Sequence, residues 1–82
     1  MSLDTAPLEA ARLELGLSLP DLWMRCLSLG GLLVETDLGD SLLGVQMMSP
    51  EEYDVVAQAL NEIFMERGND HPLPYASEAD AS

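Results

Sequence analysis

Lysine is absent from the chain, and arginine occurs only three times against fifteen aspartates and glutamates in 82 residues. The formal charge of −12 makes the surface potential strongly negative, so duplex DNA, RNA and anionic lipid are repelled. Direct nucleic-acid binding and membrane binding are not expected. A basic protein surface is the kind of partner that such a charge attracts. Cysteine is almost as scarce: Cys26 cannot form a disulfide within the chain, and its place among Leu22, Trp23 and Leu27 predicts a buried thiol. The N-terminal Met-Ser-Leu-Asp-Thr lacks both a basic region and an apolar run, and no stretch approaches the roughly 20 apolar residues of a bilayer span. A cytoplasmic protein without a signal peptide is the expectation.

Catalytic groups are also few. His71 is the single histidine, and neither cysteine nor carboxylate stands at zinc-site spacing from it. A serine or cysteine nucleophile needs a base and an orienting group, which one histidine near the C-terminus supplies poorly. Gly30-Gly31 reads as a helix stop, since no Gly-Lys-Ser or spaced-glycine context accompanies it. Glu35, Asp37 and Asp40 cluster, but without the alternating oxygen ligands and closing glutamate of a calcium loop. No catalytic residue, metal or cofactor is assigned, and a non-enzyme is expected.

Trp23, Tyr53, Phe64 and Tyr75 are the only aromatics, so the core must be aliphatic, and sixteen leucines supply it. A hydrophobic content of 48% argues against disorder in spite of the charge. The length suits one small domain whose single core gives a stability on the order of 3 to 5 kcal/mol.

The clearest helix lies between Ser49 and Gly68. Ser49 can cap the first free amides, Pro50 suits the first turn, and Glu52 stands where a capping box wants a carboxylate. Tyr53, Val56, Ala57, Leu60, Ile63 and Phe64 follow at steps of three and four, which puts them on one face, and Gly68 is a natural left-handed stop. A first helix is predicted from about Ala6 to Leu15, capped by Asp4 or Thr5, stopped by Gly16, with Leu8, Ala11 and Leu15 inward. Ser18 opens a second, with Asp21 three residues later and Leu19, Leu22, Trp23, Cys26 and Leu27 inward; Gly30-Gly31 ends it. Leu32, Leu33 and Val34 fit either a short strand or an extended connector. A short third helix is expected from Thr36 or Asp37 to Gln46, with Leu38, Leu42 and Val45 inward and a break plausible near Gly39. The expected fold is all-α: a small bundle of three to four helices over residues 1–75, ending in an extended proline-rich segment from which Leu73 and Tyr75 can dock back. Residues 76–82 carry nothing to bury and are expected to be a disordered tail.

Two resemblances accompany these patterns. Asp37-Leu38-Gly39-Asp40-Ser41-Leu42 resembles the stretch of acyl carrier proteins in which an Asp-Ser-Leu triplet opens a helix and presents a serine to phosphopantetheine. The resemblance implies Ser41 as the modified residue, although Pro50 truncates what would be the long recognition helix. The order Leu22-Trp23, Leu29-Gly30-Gly31, Leu43-Gly44, Tyr53-Asp54, Ala59-Leu60-Asn61-Glu62 and Pro74-Tyr75 is similar to short acidic helical proteins of actinobacteria. That similarity implies a compact helical domain and an actinobacterial source, and it brings no activity with it.

The functional expectation is a small non-enzymatic regulatory or adaptor protein that binds another protein with a basic surface. Apolar Leu32, Leu33, Val34, Leu43, Met47 and Met48 exceed what four short helices easily hide, and methionines beside leucines suit an adaptable docking surface. Met47 and Met48, with Glu51, Asp54, Glu62 and Glu66 on the outer side of the last helix, are the candidate contact. The alternatives are a carrier protein modified on Ser41, an acidic nucleic-acid mimic that occupies a DNA-binding protein, and a symmetric homodimer formed through the same apolar surplus.

Overall fold

The computed structural model describes residues 4–69 and residue 73. Among them it forms four helices and no strand: α1 (Ala6–Leu15), α2 (Leu19–Ser28), α3 (Glu35–Leu42) and α4 (Pro50–Glu66). The all-α bundle expected from the apolar spacing is the fold. His71, Tyr75 and the segment 76–82 lie outside the described residues, as does the domain boundary placed at residue 75.

Local chemistry accounts for each helix end. Ser18 and Ser49 both adopt extended backbone, and each accepts a hydrogen bond through its hydroxyl from an amide three residues on, Asp21 and Glu52, at 3.2 Å. Each thereby satisfies one of the four amides that a helix start leaves unpaired. α1 is capped differently. Thr5 makes no side-chain cap; Asp4 Oδ1 accepts the Ala6 amide at 3.0 Å, and the buried Thr5 hydroxyl donates 2.7 Å to the Ser41 carbonyl near the end of α3. One threonine thus ties the start of α1 to the last turn of α3, sharing the Ser41 carbonyl with the Gly44 amide. Gly16 (φ +69°) and Gly68 (φ +86°) close α1 and α4 in the left-handed region, where a side chain would be strained.

α4 is the central element. It packs against α1 and α2, and α3 packs against the same two helices from elsewhere. Because two helices cover it, its buried face is wider than the predicted stripe: Ala59 and Asn61 are buried with Val56, Leu60 and Phe64. Leu8, Ala11 and Leu15 of α1 and Leu22 and Cys26 of α2 complete this side of the core as their spacing predicts. Leu27 does not join them. It lies at the edge of the α2 stripe and is 44% exposed.

The segment between α2 and α4 departs furthest from expectation. Residues 31–34 form a connector without regular structure, extended at Val34 and pinned where the Trp23 indole donates 2.9 Å to the Leu33 carbonyl. α3 then starts at Glu35 and ends at Leu42, four residues before the predicted end at Gln46. Its stop is Gly44 (φ +80°), while Gly39, where a break was expected, stays helical and lies against Leu19 of α2. Leu38 and Leu42 are buried as predicted, but Val45 falls beyond the helix and is 75% exposed. Leu73 docks back on α4. The Asn61 side chain accepts from the Leu73 amide at 3.1 Å and donates to its carbonyl at 2.9 Å, so both buried backbone groups are paired.

Candidate interaction surface

Met47 and Met48, adjacent in sequence, have opposite fates. Met47 is 74% exposed, whereas Met48 is buried and joins the core. Met48 immediately precedes the Ser49 cap, and Tyr53 is the fourth residue of α4; these are the two positions of a hydrophobic staple, and both are buried. Met48 is therefore corrected from a contact residue to a structural one. The pattern that gives it away, an apolar residue before a capping serine with another five positions later, was present in the sequence.

The acidic side of α4 is also divided. Glu66 receives a two-pronged contact from Arg25 of α2, at 2.7 and 3.2 Å, and Glu62 stands 3.9 Å from the same guanidinium. That hydrogen bond, with the nearby Arg25 charge, holds the Glu66 carboxyl below its ordinary range. Gln58 donates to Glu62 at 3.4 Å. The end of α4 is thus bridged to α2, and the expected open row of like charges is interrupted there. Glu51 at the start of α4 is exposed and Asp54 is half-buried.

Beside Met47 the turn after α3 exposes Leu43, which was expected among the apolar surplus, and Val45, which the helical spacing had turned inward. Leu43 is 70% and Val45 75% exposed. The amides of Val45 and Gln46 both donate to the Asp40 carbonyl, at 2.9 and 3.3 Å, which fixes the turn and holds these side chains outward. Leu43 also forms one rim of a groove of about 150 Å³ between α1, α2 and α3, whose other walls are Glu9, Arg12, Leu19, Gly39 and Leu42. Arg12 is already engaged: it donates to both Glu9 oxygens at 2.6 and 3.0 Å and to the Leu17 carbonyl at 2.8 Å. This pairing lowers the Glu9 pKa and raises that of Arg12. A second, wider groove of about 450 Å³ between α2 and α4 is lined by Leu17, Asp21, Met24, Arg25, Ser28 and Ile63 and is more polar.

Ser41, the residue of the carrier-protein alternative, has no solvent exposure, and its Oγ has no hydrogen-bond partner. Modification requires the hydroxyl at the surface, so this conformation offers none. Cys26 is buried as predicted, and desolvation, followed by the Glu52 charge, pushes its thiol up to about 11. Among the described residues, no three His, Cys, Asp or Glu side chains group closely enough to hold a metal ion, and no helix is long and apolar enough to cross a membrane. No protein-family model matches this chain, and no similar curated protein or solved structure was found.

Proposed function

We propose that this chain is a small non-enzymatic regulatory or adaptor protein of the cytoplasm that acts by binding another protein. The observation that carries the proposal is the turn after α3, where Leu43, Val45 and Met47 stand between 70 and 75% exposed while the turn itself is fixed by backbone hydrogen bonds. Three exposed apolar side chains at alternate positions of one hydrogen-bonded turn favour an interaction surface. Glu51 lies four residues beyond Met47 at the start of α4 and extends the surface with negative charge.

The test is recovery of a partner by the full-length chain from a cell lysate, compared with the double variant Val45→Ser, Met47→Ser. Both side chains are exposed, so the variant should keep the wild-type circular dichroism and melting temperature. A specific protein retained by the wild type and lost by the variant is expected. Equal recovery by both would remove the turn from the interface. A concentration-dependent dimer that the variant dissolves would assign the surface to self-association.

A further inference from the structure

On that protein-binding function, we infer the chemistry of the partner: a basic amphipathic helix that lays an aliphatic row across the 43–47 turn and sets one aliphatic side chain into the groove beside Leu43. Three observations converge. The first is volume. A groove of about 150 Å³ is well below the roughly 300 to 1,000 Å³ of small-molecule sites, whereas a cavity of about this size takes one benzene-sized group. It therefore suits a single anchoring side chain, met by Leu19, Leu42 and Leu43, with Leu19 packed against Gly39 in the wall.

The second is charge. Residues 26–66 contain eight carboxylates and no arginine, lysine or histidine. Glu35 is four residues before Gly39, on the side of α3 that forms the groove, and Glu9 lies in the groove wall itself. Arg12, the one cation in the groove wall, is neutralised by its two-pronged contact with Glu9. Lysines and arginines flanking an aliphatic row would meet this surround without a competing positive charge.

The third is backbone pairing. The described residues form no strand, so no sheet edge is offered to an extended peptide, and the Val45 and Gln46 amides already pair with Asp40. A partner must satisfy its own backbone, which a helix does internally.

The experiment titrates full-length protein into a fluorescein-labelled synthetic helix with leucines on one face and lysines and arginines on the other. A scrambled peptide of identical composition is the control. Each of Val45→Asp and Met47→Asp adds a negative charge, so attraction by charge alone predicts tighter binding and apolar docking predicts weaker binding. We expect each variant to weaken the amphipathic peptide about tenfold, as loss of an interface anchor does, and the scrambled peptide to bind at least as weakly. Met24→Asp, on the exposed side of α2, should bind like the wild type. Scrambled and amphipathic peptides binding alike, or turn variants binding as tightly as the wild type, would overturn the inference. If a lysate partner is lost on Val45→Ser, Met47→Ser but the basic helix does not bind, the partner class is wrong and the adaptor function stands. If neither binds, both fail.

Discussion

At the scale of single residues, two buried polar side chains make opposite demands. Asn61 is 2% exposed and pairs both backbone groups of Leu73, while Ser41 is fully buried and its Oγ pairs with nothing. Removing one partner of a buried pair leaves the other desolvated at a cost of about 1 to 3 kcal/mol, whereas removing an unsatisfied group relieves that cost. Asn61→Ala should therefore destabilise by about 1 to 3 kcal/mol, and Ser41→Ala should be neutral or stabilise by up to about 1 kcal/mol, as read by urea denaturation. A large loss from Ser41→Ala would mean that its hydroxyl holds a bonded water. Cys26 makes a pH prediction. Its thiol is raised from 9.0 to about 11 in the fold, so both states are protonated below pH 9 and stability is intact there. Between pH 9 and 11 the unfolded chain releases the proton that the folded chain keeps, and stability falls as pH rises. Tyr53, raised by burial and then by Asp4 and Asp54, adds in the same direction above its ordinary value of 10.0. Denaturation midpoints between pH 8 and 10 should decline more steeply for the wild type than for Cys26→Ala; parallel slopes would show the thiol to be exposed.

At the scale of elements, Gly31 and Gly39 separate two meanings of a glycine beside a helix. A Cβ on Gly31 would lie 2.9 Å from the Cys26 carbonyl oxygen and 3.3 Å from Val55 Cγ1, and the backbone oxygen cannot yield. A Cβ on Gly39 would lie 2.9 Å from Leu19 Cδ2, the tip of a half-buried side chain that can rotate. Alanine also gains about 1 kcal/mol over glycine inside a helix. Gly31→Ala should thus destabilise by about 1 to 3 kcal/mol, the usual cost of overpacking, while Gly39→Ala should stay within about 1 kcal/mol of wild type by thermal melts. Equal effects would refute the distinction between backbone and side-chain neighbours. The same elements show what the sequence could reveal. Ser18 and Ser49 mark helix starts because a cap is a local interaction, and α1 and α4 show their inward faces because the period is local as well. The end of α3 was not legible. The spacing favours a break near Gly39 and a helix running past Gly44, whereas the approach of Leu19 makes the first a packing glycine and a left-handed backbone makes the second the stop. The candidate surface suffered accordingly: a helix carried on to Gln46 turns Val45 inward, and an unrecognised staple leaves Met48 outside.

At the scale of the whole molecule, a compact shape and a large unbalanced charge oppose each other. The radius of gyration is 11.6 Å, close to the roughly 12 Å expected of a folded chain of this length, and the described residues hold twelve carboxylates against three arginines. Self-repulsion at that density destabilises the folded state and is relieved by salt or by protonation. The described ion pairs act the other way. Glu9 and Glu66 have lowered pKa values through Arg12 and Arg25, so their stabilisation is present above the ordinary value of 4.5 and is lost as pH falls through the lowered one. Both pairs are at least partly solvated, where screening leaves an ion pair with little net effect, while the repulsion sums over fifteen carboxylates. Repulsion should therefore dominate near neutrality. The melting temperature at pH 7 should rise as sodium chloride is increased from about 20 to 500 mM, a range over which the screening length shrinks from well above to well below the ~10 Å found at 0.1 M. A melting temperature that falls with salt would reverse the ranking and make the Arg12 and Arg25 bridges the dominant electrostatic contribution to the fold.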